Sequence, residues 1–192
     1  SAASTMTTPA QLERLGEQRP SRTGRTAPFG LVLAPTRELA LQVAEAITSY
    51  GRGMGARVLT VYGGAPVGPQ LRGLSEGVDV VVATPGRAID LMNRGALRLD
   101  ELEVVVLDEA DEMLDMGFVE DIETLLDATP DTRQGVLFSA TMPRRIEDLA
   151  RNYLREPVTV RMGREVVADG AAPLVRQTAF LVPRTHTTAA LG

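Results

Sequence analysis

Three of the four residues from Asp108 to Asp111 are acidic, and they directly follow the apolar run Val104–Leu107. Two adjacent carboxylates at the end of a buried strand can hold Mg²⁺ through water and orient a water molecule that attacks a phosphate. In this interpretation Asp108 binds the cation and Glu109 activates the water. The alternative is an ordinary helix start, with Asp108 as the cap and Asp111 in the first turn. These residues alone favour neither interpretation.

Four further segments carry residue types that suit phosphate groups. Ser139–Thr141 offers two hydroxyls, which can link the acidic cluster to a moving loop by hydrogen bonds. Thr84–Arg87 and Pro35–Arg37 each combine a candidate helix N-terminus with an arginine, and Gly63–Gly64 allows a backbone to approach closely. Each segment also has a plain structural interpretation: a cap before the helix at Pro143, a βα loop with a surface arginine, or a simple turn. Taken singly, the plain interpretation is the better one.

The composition of the 192 residues excludes several classes of site. There is no cysteine and one histidine, His186, so a disulfide framework and a Cys or His metal cluster are excluded. All 20 basic residues are arginine, and the net charge is −5. Without lysine, no Walker A loop of the form G-x-x-x-x-G-K-S/T can exist in this sequence. No apolar run approaches a membrane span, so we expect a cytoplasmic protein without a membrane partner.

Short apolar runs alternate with amphipathic segments, which predicts βα units and a parallel sheet. The apolar runs are Leu31–Ala34, Val58–Tyr62, Val78–Ala83, Val104–Leu107, Val136–Ser139 and Val158–Val160. The helix-like segments are Thr36–Tyr50, Pro69–Ser75, Arg87–Arg94, Phe118–Ala128 and Arg144–Arg155. We therefore predict an α/β fold, a doubly wound parallel sheet flanked by helices in three layers. Ligands of such sheets bind beyond the carboxyl ends of the strands, where all five segments described above would meet.

The domain organisation follows from changes in composition along the chain. Residues 1–29 are rich in Ser, Thr, Pro, Gly and Arg and indicate an irregular segment, and residues 30–162 form the predicted α/β domain. Residues 163–174 indicate a linker. Residues 175–192 begin with one predicted strand, Val175–Val182, which cannot fold alone. They are either the start of a second domain or a tail docked on the first.

Five motifs occur in a fixed order along the chain: Pro35-Thr36-Arg37-Glu38-Leu39-Ala40, Gly63-Gly64, Thr84-Pro85-Gly86-Arg87, Asp108-Glu109-Ala110-Asp111 and Ser139-Ala140-Thr141. In order and spacing they resemble the first RecA-like domain of the DEAD-box ATP-dependent RNA helicases. The resemblance covers residues 30–162, and the segment Glu112–Phe118 also resembles the bacterial members. The tail from Val175 is similar to the opening strand of the second RecA-like domain of that family.

The resemblance implies a role for each motif. The backbone of single-stranded RNA would be bound by nine residues, namely Pro35, Thr36, Arg37, Gly63, Gly64, Thr84, Pro85, Gly86 and Arg87. Asp108 and Glu109 would bind Mg·ATP and activate water, while Ser139 and Thr141 would link hydrolysis to strand separation. Ala110, Asp111 and Ala140 would support that coupling. The implied partners are RNA and a second RecA-like domain, and the implied cofactors are ATP and Mg²⁺.

The sequence also departs from the family pattern. The glycine-rich G-K-T loop and the glutamine segment that precede P-T-R-E-L in the family are absent, and Thr23–Thr26 lies too close to Pro35 to replace the loop. We therefore expect a domain truncated at both ends, without its phosphate-loop strand, that binds ATP weakly and does not unwind RNA alone. The loss of that strand would leave an unpaired internal edge of the sheet, so we expect poor stability, or dependence on a partner or on a missing N-terminal segment.

Two other functions compete with that one. A non-catalytic RNA-binding or scaffold module would keep the phosphate-binding residues and lose the nucleotide chemistry. An unrelated nucleotide-binding α/β domain would need another phosphate loop, and the sequence contains none. The helicase interpretation requires that Arg37, Arg87, Glu109 and Thr141 lie at one edge of the sheet.

Overall fold

The computed structural model of the protein describes residues 27–160, with the side chain of Met54 excepted. The expectations for residues 1–26, the linker at 163–174, the strand Val175–Val182 and His186 lie outside the described residues. All the helices and strands given below belong to a unit that ends at Pro157.

The core of the fold is a five-stranded parallel sheet with the order β2-β3-β1-β4-β5. The strands are β1 (Gly30–Leu33), β2 (Val58–Val61), β3 (Val80–Ala83), β4 (Val104–Leu107) and β5 (Gln134–Leu137). Their Val- and Leu-rich sequences suit a sheet that is covered on both faces. In the described part of the chain, β5 is an outer strand that pairs with β4 alone.

Within residues 27–160, six α-helices flank the sheet: α1 (Arg37–Tyr50), α2 (Val67–Ser75), α3 (Pro85–Asn93), α4 (Ala110–Asp115), α5 (Val119–Asp127) and α6 (Arg144–Tyr153). A short 3-10 helix, Arg52–Met54, follows α1. None of the helices described here is long and apolar enough to cross a bilayer.

Side chains that alternate along the strands build a separate core on each face of the sheet. Leu31 and Leu33 of β1 point into the larger core, which is closed by apolar residues of α2 to α6. Val32, between them, points to the opposite face, where Ala40 and Ala44 of α1 cover it. The predicted three-layer α/β/α fold is confirmed.

The structure differs from the sequence expectations at three elements. The fifth strand begins at Gln134 rather than Val136, because Gln134 and Gly135 pair with Val104 and Val105 of β4. Residues 158–160 form no strand, although all three are β-branched and two are apolar. The acidic motif runs into a helix of six residues, α4, which has too few turns to produce a periodic pattern.

Candidate functional site

The last residues of the five strands form a continuous row across the sheet. Leu33 pairs with Ala83 on one side and with Leu107 on the other, Ala83 also pairs with Val61, and Leu107 also pairs with Leu137. The segments that follow these residues therefore emerge at one edge. Four strand spacings make that edge about 20 Å wide.

The order of the strands divides this edge into two parts. Gly63–Gly64, Thr84–Arg87 and Pro35–Arg37 follow the neighbouring strands β2, β3 and β1. Asp108–Asp111 and Ser139–Thr141 follow the neighbouring strands β4 and β5. The sheet thus brings all five predicted segments together. It also separates the glycine and arginine segments, here called the arginine half, from the acidic and hydroxyl segments, here called the acidic half.

Asp108 and Glu109 lead the acidic half and differ in exposure. The Asp108 N–H donates to the Leu33 carbonyl at 2.9 Å, and its side chain is half-buried. Burial raises the pKa of Asp108, against a backbone hydrogen bond from Glu109 that lowers it. Glu109 is exposed, and its pKa is raised by desolvation and then by the nearby carboxylates of Asp108, Glu112 and Asp111. The raised pKa values make the ionised forms of both carboxyl groups less favourable, and a bound cation would stabilise those ionised forms.

The backbone of Glu109 is left-handed, with φ 51° and ψ 52°. This conformation brings Cβ close to the following carbonyl oxygen in any residue other than glycine. Glu109 occupies the N-cap position of α4, and its side chain caps nothing there. The interpretation of Asp108 as a helix cap is therefore wrong, because the helix begins one residue further along.

Asp111 connects the two segments of the acidic half, Asp108–Asp111 and Ser139–Thr141, by hydrogen bonds. Its Oδ2 accepts hydrogen bonds from the Thr141 N–H at 2.9 Å and from the Thr141 hydroxyl at 2.8 Å. The Ser139 hydroxyl donates to the Thr141 carbonyl at 2.6 Å. Burial raises the pKa of Asp111, but hydrogen bonds to its carboxylate from the Thr141 and Ser139 side chains and from the Thr141 and Ala140 N–H groups outweigh burial and lower the pKa. Neither hydroxyl caps α6, whose cap position is Pro143 without a side-chain hydrogen bond.

In the arginine half, Thr36 and Arg37 begin helix α1. The Thr36 hydroxyl accepts a hydrogen bond from the Leu39 N–H at 3.2 Å, so Thr36 is the N-cap of the helix. Arg37 is exposed, and its guanidinium carbon lies 4.8 Å from the centre of the Tyr62 ring. Pro35 is buried, lies between β1 and α1, and has no polar side chain.

The side chains of Gln70 and Arg87 anchor the loop that contains Gly63 and Gly64, here called the glycine loop. The Gln70 amide donates to the Tyr62 carbonyl at 3.2 Å, and Arg87 Nη2 donates to the Ala65 carbonyl at 3.1 Å. Between these two anchors, Gly64 has φ +72°, a left-handed conformation that favours glycine. The Arg87 side chain is only 13% exposed and lies 3.9 Å from the Asp90 carboxylate. It is therefore not a plain surface arginine.

Both anchors keep an unused polar atom. Gln70 Oε1 and Arg87 Nη1 are buried and have no hydrogen-bond partner among the described residues. Thr84 and Pro85 begin α3 without a side-chain cap, and Gly86 is exposed beside them.

The sequence patterns did not single out Tyr62 and Gln70 as part of this edge. Tyr62 looks like one of several scattered aromatic residues, although its place between β2 and Gly63 is the signal that could have found it. Gln70 shares the inner face of α2 with Leu71 and Leu74, and a glutamine on an apolar face needs a buried partner.

The acidic half does not form a metal cage of its own. Within residues 27–160, no three His, Cys, Asp or Glu side chains come close enough to hold a metal ion. Adjacent carboxylates such as Asp108 and Glu109 still fit Mg²⁺, which keeps several water ligands and takes others from phosphate oxygens.

Comparison with known proteins places these motifs in context. The family model "DEAD/DEAH box helicase" matches residues 6–149. The chain is 53% identical over 133 residues to DEAD-box ATP-dependent RNA helicase 9 of Oryza sativa subsp. japonica, which covers 69% of this chain and 21% of that protein. It is 43% identical over 182 residues to RNA helicase CrhR of Synechocystis, covering 87% and 36% of the two chains.

A solved structure has the same architecture. The crystal structure of a DEAD box protein from Methanococcus jannaschii superposes with a TM-score of 0.70 at 39% identity, covering 81% of this chain and 42% of that one. The fold is thus the RecA-like fold of such proteins. The chain spans about a fifth to about a third of the length of the two curated relatives named above.

Proposed function

The chain belongs to the DEAD/DEAH box helicase family, and from that premise we propose that it provides one RecA-like domain of an ATP-dependent RNA helicase. The observation that carries the proposal is the division of the edge into two parts. Motifs that suit an RNA backbone follow β2, β3 and β1, and motifs that suit Mg·ATP follow β4 and β5.

The arginine half binds the sugar-phosphate backbone of single-stranded RNA in this proposal. Arg37, Gly63, Gly64 and Gly86 are exposed and can reach phosphates directly. The first turns of α1 and α3 start at this edge, and their unpaired backbone N–H groups favour anions. Arg87 contributes by holding the glycine loop, since its guanidinium is largely buried against the Ala65 carbonyl.

The acidic half provides the nucleotide chemistry. ATP, when bound, supplies the phosphate bond whose hydrolysis drives the helicase. Asp108 would hold Mg²⁺ through water, and Glu109 would orient the attacking water. The two hydrogen bonds between Asp111 and Thr141 would couple changes at that site to the segment that follows β5.

The 192 residues include no lysine, so this chain lacks the Walker A lysine that grips the phosphates. We therefore propose that the chain alone binds Mg·ATP weakly and does not unwind RNA. Residues 175–192 would be the start of the second RecA-like domain, which completes the enzyme.

Two titrations of the 192-residue chain test the proposal. Labelled single-stranded RNA should bind, bind more weakly as salt rises, and bind more weakly to the Arg37→Gln variant. Mg·ATP should bind far more weakly than micromolar. Tight nucleotide binding would contradict the proposed dependence on a separate phosphate loop, and a wild-type chain that does not bind RNA would contradict the role of the arginine half.

A non-catalytic RNA-binding scaffold is the second candidate, because the exposed Arg37 and glycines of the arginine half could bind RNA without nucleotide chemistry. The encoding reading frame distinguishes the two. If it continues upstream into a G-K-T segment, the chain is part of an active helicase. If it does not, the scaffold explains the arginine half without nucleotide chemistry.

A further inference from the structure

We propose that Tyr62 is a positioning residue for RNA binding. The face of its ring holds the Arg37 guanidinium in a position to bind a phosphate. The inference rests on the proposed function, because it assigns Arg37 to the RNA backbone. It adds a residue that none of the five motifs contains.

The contact between the two side chains is the first step. The guanidinium carbon of Arg37 lies over the Tyr62 ring, 4.8 Å from its centre. This distance is within the range of about 6 Å in which an arginine is attracted to an aromatic face. Arg37 has no ion pair with any described residue, so its N–H donors stay available for an incoming anion.

The fixed position of Tyr62 is the second step. Tyr62 directly follows β2, and its carbonyl accepts a hydrogen bond from the Gln70 amide at 3.2 Å. Gln70 is only 7% exposed, so this bond forms in a buried setting on α2. The ring is half-buried and starts from a backbone that is anchored on both sides. It therefore offers Arg37 a fixed platform.

The effect on binding is the third step. A free arginine loses rotamer entropy when it is fixed by a ligand, and a side chain that is already ordered loses less. The Tyr62 ring fixes the Arg37 guanidinium before RNA arrives and does not occupy its hydrogen-bond donors. Tyr62 should thus raise RNA affinity without touching RNA.

The test is a double-mutant cycle measured by fluorescence anisotropy with labelled oligouridylate of about 10 nucleotides. In the wild-type background, Tyr62→Leu should weaken binding about two- to fivefold, the range of an exposed cation–aromatic contact. Tyr62→Phe keeps the ring and should bind like the wild type. In the Arg37→Gln background, Tyr62→Leu should have no further effect.

Tyr50→Leu is the matched control, because Tyr50 is an exposed tyrosine at the far end of α1, about 20 Å from Arg37 along the helix. It should bind like the wild type. The inference is overturned if Tyr62→Leu weakens binding equally with and without Arg37, which would mean that the ring contacts RNA itself. It is also overturned if Tyr62→Leu binds as well as the wild type or more tightly. A wild-type chain that does not bind RNA would overturn the proposed function and this inference together.

Discussion

The left-handed backbone of Glu109 leads to a prediction that does not depend on nucleotide or RNA. A side chain with Cβ at φ 51° is strained by about 1–2 kcal/mol, and glycine avoids that strain. Glycine also gives the unfolded chain more freedom, which costs about 0.4–1 kcal/mol relative to alanine. Glu109→Gly should therefore be more stable than Glu109→Ala by about 0.5–1 kcal/mol, or roughly 1–4 °C in Tm.

The comparison with alanine isolates the backbone. Both variants remove the Glu109 carboxylate and hence the repulsion from Asp108, Asp111 and Glu112, so only the Cβ atom separates them. Urea unfolding followed by far-UV circular dichroism measures the difference, since the chain has no tryptophan to report by fluorescence.

Glu45 provides the opposite control. It is exposed in the middle of α1, where the backbone is right-handed, so Glu45→Gly should be less stable than Glu45→Ala by about 1 kcal/mol. If glycine is also the less stable variant at Glu109, the strain argument is wrong. If it is the more stable one, the acidic motif keeps a residue that costs stability, as functional sites do.

Four other predictions concern the hydrogen bonds and carboxylates of the site. Asp108→Asn should raise the free energy of unfolding at about pH 7, because the raised folded-state pKa means that the charged Asp108 destabilises the fold. Urea melts at several pH values should show that this gain becomes smaller as the pH falls through the raised pKa and Asp108 becomes protonated. Asp111→Asn should lower the free energy of unfolding at neutral pH, because folding lowers the pKa of Asp111. The same melts should show that this loss of stability disappears as the pH falls through the folded-state pKa. A variant that is more stable than the wild type at neutral pH would contradict the prediction. Thr141→Val keeps the backbone hydrogen bond to Asp111 and loses the hydroxyl hydrogen bond. It should lower the free energy of unfolding by about 0.5–1 kcal/mol and raise the Asp111 pKa measured by NMR titration. An unchanged Asp111 pKa would refute the hydroxyl contact. Thr36→Ala should cost about 1 kcal/mol in urea melts and Thr36→Ser much less, and equal losses would rule out the capping bond.

The sequence predicted the strands that consist of apolar runs, because burial on both faces leaves a signal in every residue. The range Val104–Leu107 was predicted correctly at both ends. Residues Gln134 and Gly135 were missed, since their strand conformation comes from pairing with β4 and not from their own side chains. The apolar run Val158–Val160 gave a wrong strand for the converse reason.

The shared edge of the five motifs was predictable from the sequence, and the contacts at that edge were not. The expectation that the five motifs share one edge needed only parallel strands and the rule that ligands bind at their carboxyl ends. The burial of Arg87, the ring beneath Arg37 and the left-handed Glu109 depend on which loops meet in space. No spacing along the chain carries that information, because Arg37 and Tyr62 belong to different βα units.

The border between the two halves of the edge has a mechanical consequence. Leu33 and Leu107 are distant along the chain, yet they pair directly, and the Asp108 N–H extends the same ladder to the Leu33 carbonyl. Adjacent strands of a hydrogen-bonded sheet keep a nearly constant spacing of about 4.8 Å. The pairing of β1 with β4 therefore fixes the distance between the backbone of the turn before Arg37 and the backbone of Asp108. Any change in the distance between the two halves must then come from side chains or loops, because the strands keep their spacing.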